Sequence, residues 1–299
     1  EDIKISIDSY LQTTVYQKMN GEKGSATAVD PTTGDILALV SSPSYNSNWF
    51  TTYMTKSEQQ HREEIQFADE KNRFATLYSP GSTFKLITSS AGLEEGVVKQ
   101  NDKFTCNGSV TVEGSKIKCW RSYRPHGAET FKQGVQNSCN PVFVEVGRRL
   151  GVSKMYNYID AFGLNKKTNI DLPGEAGSIL YKEKDVGPVE LATISFGQSI
   201  SVTPIQLITS VCSIVNDGNR MQPRLVKAYT DNKGNITKGL DPVKVKQVIS
   251  KETSAQMREI MESVVTDGGG KIAYLPGYRL GGKTGTAQVS QGRSGYTNG

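Results

Sequence analysis

Ser82-Thr83-Phe84-Lys85 sets a lysine three residues after a serine. On a helix those two positions share a face, so the lysine amine can reach the serine oxygen. A serine hydroxyl is a weak nucleophile at its own pKa and needs such a base. Two later stretches add to this pair. Ser138-Cys139-Asn140 offers a second hydroxyl and an amide, and Lys283-Thr284-Gly285-Thr286 offers a cation followed by two hydroxyls, a set that suits a carboxylate.

Each piece is weak alone. Ser115-Lys116-Ile117-Lys118 repeats the serine–lysine spacing, and Ser44-Tyr45-Asn46 repeats S-x-N; K-[ST]-G occurs once. Ser82 taken singly reads as a helix N-cap, Asn140-Pro141 as a loop or helix start, and Thr284 and Thr286 as strand threonines. Context separates hits from decoys. Ser82 follows the turn pair Pro80-Gly81 and opens an apolar run through Phe84, Leu86, Ile87, Ala91 and Leu93, whereas Ser115 lies in a polar strand-and-turn stretch. At a helix start, free N–H groups and the dipole favour developing negative charge.

The positioning elements follow from pattern. A short strand at 2–7 and a helix around 11–20 are expected, then strands 25–29 and 35–40 joined at Pro31-Thr32-Thr33-Gly34 as a hairpin. The charged stretch 55–74 carries a capping box at Thr55 and Glu58, so it reads as an exposed helix, with His61 facing solvent. Thr203-Pro204 starts a helix whose apolar positions Ile205, Ile208, Val211, Cys212 and Val215 place Cys212 in the core, and Asn216-Asp217-Gly218 stops it. Ser250 to Val265 reads as another helix, broken by Gly268-Gly269-Gly270 before the strand of Lys283. The order β-rich, helical, β predicts an α/β (α+β) fold: an antiparallel sheet from about 1–81 and 276–299, flanked by helices, with a mainly helical subdomain at about 82–275 inserted.

Composition agrees with a globular domain. The chain has 299 residues, 36% hydrophobic and 22% charged, with net charge +5. Scattered basic residues give no nucleic-acid stripe, no apolar run spans a membrane, no signal peptide is present, and the phosphate-loop order is absent.

Cys106, Cys119, His126 and Cys139 follow the spacing C-x12-C-x6-H-x12-C. Three thiols and an imidazole form a structural zinc ligand set, although the spacing is not that of a finger. Three readings stay open: zinc, a disulfide such as Cys119 with Cys139, and free thiols.

With Ile5-Ser6-Ile7-Asp8, Ala28-Val29-Asp30-Pro31, Tyr78 to Lys85, Phe196-Gly197-Gln198 with Thr203-Pro204-Ile205-Gln206, and Gly281 to Gln288, the chain resembles the transpeptidase domain of class B penicillin-binding proteins. The cysteine in Ser-Cys-Asn is similar to that of sporulation-type Gram-positive members. The resemblance implies a penicillin-binding protein/serine β-lactamase-like fold and an acyl-serine D,D-transpeptidase that crosslinks peptidoglycan stem peptides and is acylated by β-lactams. Ser82 is then the nucleophile, Lys85 its base, Ser138 a proton relay, Asn140 a holder of Lys85 and substrate, and Lys283 a cation that lowers the Lys85 pKa. Thr284, Gly285 and Thr286 form the substrate strand, and the Ser82 and Thr286 N–H groups the oxyanion hole. No cofactor is implied for catalysis, and no nucleic acid as partner. A membrane-anchored full-length protein on the extracytoplasmic face, working with cell-wall synthesis partners, is implied too. Alternatives are a β-lactam sensor domain, a D,D-carboxypeptidase and a β-lactamase. Relatives continue past the position of Gly299 with further strands and a helix, which are expected to cover an otherwise exposed apolar face.

Overall fold

A computed structural model describes residues 2–42, 44, 73–290 and 296–298. Nearly all of the expected helix at 55–74, with Thr55, Glu58 and His61, lies outside these, as do Tyr45 and Asn46 of the second S-x-N match.

Seven α-helices are described: α1 (Ser9–Met19), α2 (Lys85–Glu94), α3 (Phe131–Gln136), α4 (Asn140–Ala161), α5 (Pro188–Ile194), α6 (Pro204–Val215) and α7 (Lys251–Thr266). Their starts follow capping chemistry. Asp8 accepts from the Leu11 N–H at 2.9 Å to begin α1. Thr203 and Gln206 cap α6 reciprocally at 3.2 and 2.8 Å, with Pro204 as its first residue. Ser250 caps α7 at 3.1 Å. The long α4 is interrupted at Gly151, where φ of 75° and ψ of 167° break the helix into two segments.

In α6 the expected apolar stripe is displaced. Ile205, Leu207 and Ile214 are buried together with Gln206, Thr209, Ser210 and Ser213, while Cys212 is half-buried and not a core residue. Gln206, Ser210 and Ser213 go inward hydrogen-bonded: Gln206 donates to the Lys166 carbonyl at 2.6 Å and to Ser178 Oγ at 2.7 Å, and Ser210 and Ser213 donate to backbone carbonyls.

The strands are antiparallel. Gly24–Val29 and Ile36–Ser42 form the expected hairpin. Asp2–Ile5 pairs with Val226–Thr230, which also pairs with Ile236–Gly239, so the N-terminal strand joins chain from the span expected to be mainly helical. Asp35, Arg224 and Lys227 fasten this junction, with Arg224 Nε 2.6 Å and Lys227 Nζ 2.9 Å from the nearly buried Asp35 carboxylate. Residues 281–287, expected as a strand, run without ladder pairing; the strand begins at Gln288 and pairs with Tyr296–Asn298. Among the described residues no helix is long and apolar enough to cross a membrane.

One large core surrounds α2, with side chains from α3, α4, α5, α6 and α7 packed around it; a smaller one gathers Ile36, Phe74, Ala75, Ile170, Ile205 and Leu225. Helix α2 runs through the large core, and every residue from Lys85 to Gly92 is buried.

Candidate active site

Ser82 sits on a single 3-10 turn, Gly81–Thr83, that leads directly into α2. Three glycines hold this turn in place. Gly81 has φ of 52°, and a Cβ there would lie 2.2 Å from the Thr286 carbonyl oxygen. Gly197 has φ of 84°, and its Cβ would lie 1.9 Å from the Gly81 carbonyl oxygen, while the Gly81 N–H donates to the Gly197 carbonyl at 3.0 Å. A Cβ on Gly285 would meet the Thr83 methyl at 2.8 Å. Backbone thus meets backbone at Gly81 and Gly197 and meets the Thr83 side chain at Gly285, and the K-T-G segment is laid against the turn that bears Ser82.

Lys85 opens α2 and is wholly buried. Its amine turns toward α4 rather than back to Ser82. It donates to the Ser138 carbonyl at 2.8 Å and to Asn140 Oδ1 at 2.7 Å, and stands 3.1 Å from Ser138 Oγ. The Phe143 ring lies 5.3 Å from it and the Phe196 ring 6.0 Å. Ser82 is half-buried and its hydroxyl forms no hydrogen bond among the described residues.

The turn between α3 and α4 presents Ser138 in an unusual way. The Cys139 N–H bonds the Gly134 carbonyl at 2.9 Å and the Ser138 N–H bonds the Val135 carbonyl at 3.1 Å, a Schellman ending with Ser138 at the left-handed position, φ 52°. Glycine normally fills that position; a serine there costs about 1–2 kcal/mol. Asn140, the first residue of α4, reaches Lys85 through Oδ1 and donates through Nδ2 to the Lys118 carbonyl at 3.0 Å.

Lys283 completes the cluster. Its amine donates to Ser138 Oγ at 2.9 Å and to the Thr284 carbonyl at 3.0 Å. Ser138 Oγ therefore bridges two lysines. Burial first, and the Lys283 cation second, push Lys85 down to about 7. Burial pushes Lys283 down to about 8. The sequence argument rested on the second cation; the larger effect is the position of Lys85 inside the core.

Lys85, Ser138, Asn140 and Lys283 thus share one hydrogen-bonded cluster, and Ser82 stands on the adjoining turn. Thr284, Gly285 and Thr286 are exposed on the segment that follows Lys283. The rival serine of Ser115-Lys116-Ile117-Lys118 lies on an exposed strand, Ser115–Lys118. Sequence spacing did not point to Phe143, Trp120 or the Lys118 carbonyl. None carries a local signal, because each reaches the site by tertiary packing.

Behind Ser138 the three cysteines are buried, and the donor atoms of Cys106, Cys119, His126 and Cys139 all lie within 4.8 Å of one another. The cysteines are free thiols, with no disulfide. Cys119 Sγ is 3.6 Å from His126 Nδ1. The two neighbouring thiols of Cys119 and Cys139 push each other's pKa apart, Cys119 downward and Cys139 upward. His126 Nε2 and Glu129 Oε1 are buried without hydrogen-bond partners, Glu129 Oε1 standing 4.0 Å from His126 Nδ1, while Glu129 Oε2 accepts from Asn137 at 2.9 Å.

The family model for the penicillin binding protein transpeptidase domain matches residues 24–299. The chain is 41% identical over 296 residues to stage V sporulation protein D of Bacillus subtilis, covering 96% of this chain and 44% of that protein. It is 32% identical to peptidoglycan D,D-transpeptidase FtsI of Escherichia coli K12, covering 96% of this chain and 46% of that protein. It spans less than half the length of these relatives. Among solved structures, the D,D-transpeptidase domain of a peptidoglycan glycosyltransferase from Eggerthella lenta superposes with TM-score 0.88 at 29% identity, over 97% of this chain and 72% of that one. Penicillin-binding protein A of Mycobacterium tuberculosis, solved as a ceftriaxone acyl-enzyme complex, gives TM-score 0.86 at 27% identity, over 97% and 67%. The mixed fold of helices and antiparallel strands, the ordered motifs and these matches lead to one conclusion: the chain belongs to the penicillin-binding protein transpeptidase domain family.

Proposed function

We propose that this domain is an acyl-serine D,D-transpeptidase that crosslinks peptidoglycan stem peptides and is acylated by β-lactams. The observation that carries the reading is the bonding of the Lys85 amine. Two carbonyl acceptors, Ser138 O and Asn140 Oδ1, take two N–H bonds of a neutral amine. Its lone pair is left for a hydroxyl proton, and a pKa of about 7 makes that neutral form abundant at physiological pH.

Ser82 Oγ attacks the carbonyl of the D-Ala-D-Ala bond and gives its proton to Lys85. The carbonyl oxygen becomes an oxyanion, held by the Ser82 and Thr286 N–H groups; losing one such donor costs about 10²–10³ in rate. Lys85 returns the proton through Ser138 to the leaving nitrogen as the C–N bond breaks and D-Ala departs. An amine of a neighbouring stem then attacks the acyl-enzyme carbonyl and loses a proton through Ser138 to Lys85, which returns it to Ser82 Oγ as the ester C–O bond breaks. Asn140 holds Lys85 and the substrate amide. Lys283, Thr284, Gly285 and Thr286 form the strand that receives the terminal carboxylate.

Labelled penicillin tests this reading. A covalent, long-lived adduct on Ser82, absent in Ser82→Ala, is expected. Labelling that survives Ser82→Ala refutes the assignment, and an adduct lost within seconds indicates a β-lactamase. Crosslinking of a peptidoglycan substrate separates a transpeptidase from a sensor or a carboxypeptidase.

Cys106, Cys119, His126 and Cys139 are proposed to hold a structural zinc, with Glu129 beside the imidazole. The donor set and the buried, unpartnered His126 and Glu129 atoms support it. One zinc per chain by metal analysis, and a lower melting temperature after chelation, are expected; no metal and three titratable thiols would sink the assignment. In the complete protein the domain is proposed to face the cell exterior, held at the membrane by sequence outside this chain and acting with cell-wall synthesis partners.

A further inference from the structure

Between Cys119 and His126 the chain makes a loop that the catalytic scheme does not use. With the strand before it, this stretch carries four cations, Lys116, Lys118, Arg121 and Arg124, two aromatic rings, Trp120 and Tyr123, and no acid. Among the described residues none of the four cations has a carboxylate partner. Trp120 is 59% exposed and Tyr123 82% exposed, although both bury readily in proteins.

The exposed Trp120 ring is nonetheless fixed. Its Nε1–H donates to the Asn137 carbonyl at 2.9 Å, and its ring centroid lies 5.9 Å from that of His126. Asn137 precedes Ser138, and the Lys118 carbonyl accepts from Asn140. The loop is therefore bonded on either side of the S-x-N residues, while Lys283 approaches Ser138 from the K-T-G segment. An exposed ring held beside the S-x-N turn, among unpaired cations, presents a face for a sugar or a peptide bond and charges for carboxylates.

We propose that this cationic aromatic loop binds the second substrate of the crosslinking reaction, the acceptor strand, whose stem peptide carries free carboxylates and whose glycan offers flat sugar faces. The inference rests on the transpeptidase reading above. In that reading the donor's terminal carboxylate belongs to Lys283, Thr284 and Thr286 and its amide to Asn140, so the four cations and two rings of this loop have no part in holding the donor. Arg121, Arg124 and Lys118 take the acceptor's carboxylates, and Trp120 and Tyr123 stack on its sugars or peptide planes. Because Trp120 bears on Asn137, an occupied loop also steadies Ser138 when the acceptor amine must lose its proton.

Acceptor kinetics on the intact protein test this. A soluble acceptor muropeptide is titrated against a fixed donor for the wild type, Tyr123→Ala/Arg124→Gln and Trp120→Phe, and penicillin acylation is measured in parallel. Expected is a rise of about tenfold in acceptor KM for Tyr123→Ala/Arg124→Gln, equivalent to one aromatic or charge contact, with turnover at saturating acceptor and acylation rate retained. Trp120→Phe keeps the ring but loses the Asn137 bond, so it lowers turnover more than it raises KM. A saturable quench of Trp120 fluorescence by the muropeptide, weakened by salt, is expected as well. An unchanged acceptor KM in a folded double variant overturns the inference, as does tighter Arg124-dependent binding of an anionic polyol phosphate polymer than of the muropeptide. If the wild type fails to acylate at all, the transpeptidase reading itself has failed, a distinct outcome.

Discussion

At the residue scale, Ser138 occupies a position that local conformational preference would give to glycine. Its left-handed backbone ends α3 where glycine would be more comfortable, yet its hydroxyl lies between Lys85 and Lys283. Ser138→Gly is therefore expected to raise stability by about 1 kcal/mol, read as a higher urea midpoint, while penicillin acylation is expected to fall by about 10²–10⁴ through loss of the proposed proton relay. Lys85 carries a matching tension. Its folded pKa, about 7, lies below the ordinary lysine value, so between the two the unfolded chain binds the extra proton. Stability drawn from this group is thus lowest below pH 7 and recovers as pH rises. Lys85→Met is expected to melt higher than the wild type at pH 6 while losing acylation. With Lys85 as the proposed base, the wild-type acylation rate is expected to climb with pH through about 7, and Lys283→Ala, which removes the second cation, to move that midpoint upward. The motif residues were legible in the sequence because their order is informative. Ser138's backbone was not, since Ser-Cys-Asn carries no local mark of a Schellman ending.

At the element scale, the capped helices α6 and α7 could be read residue by residue, because Thr203 with Gln206 and Ser250 act within their own first turns. Strand pairing could not. Asp2–Ile5 finds its partner at Val226–Thr230, far along the chain, and nothing within either strand specifies the other. Apolar periodicity also misjudged α6, where hydrogen-bonded polar side chains fill the buried face and leave Cys212 at its margin. The turn before α2 depends on close backbone approach. Gly81→Ala would bring a methyl to 2.2 Å from the Thr286 carbonyl oxygen at a positive φ. It is expected to cost about 1–3 kcal/mol of stability and to slow acylation, because the K-T-G segment must retreat from Ser82. Rapid acylation by a folded Gly81→Ala protein would show that this spacing is not critical.

At the scale of the whole molecule, Asp35 with Arg224 and Lys227 ties the N-terminal hairpin to the strands that follow α6. Burial opposes the Asp35 charge, but Lys227 and Arg224 outweigh it and hold the carboxyl below its usual value. The tie is thus present above the ordinary carboxylate pKa and is lost as pH falls through the lowered one. Asp35→Ala is expected to lower stability by about 3–5 kcal/mol, because a largely buried Arg224 loses its partner, and thermal melts at pH 7 measure it.

The glycine interlock at Ser82 also bears on the order in which the molecule assembles. The thiol–imidazole cluster and the α3–α4 turn come from one short stretch of chain, so their contacts close small loops and form at little entropic cost. Gly81 and Thr286, by contrast, meet although they lie far apart in the sequence. The S-x-N wall is then an early unit of folding and the cleft itself a late one. Under native conditions the same asymmetry runs backwards: the segment around Lys283 detaches first, and its amides exchange with solvent ahead of those of α4.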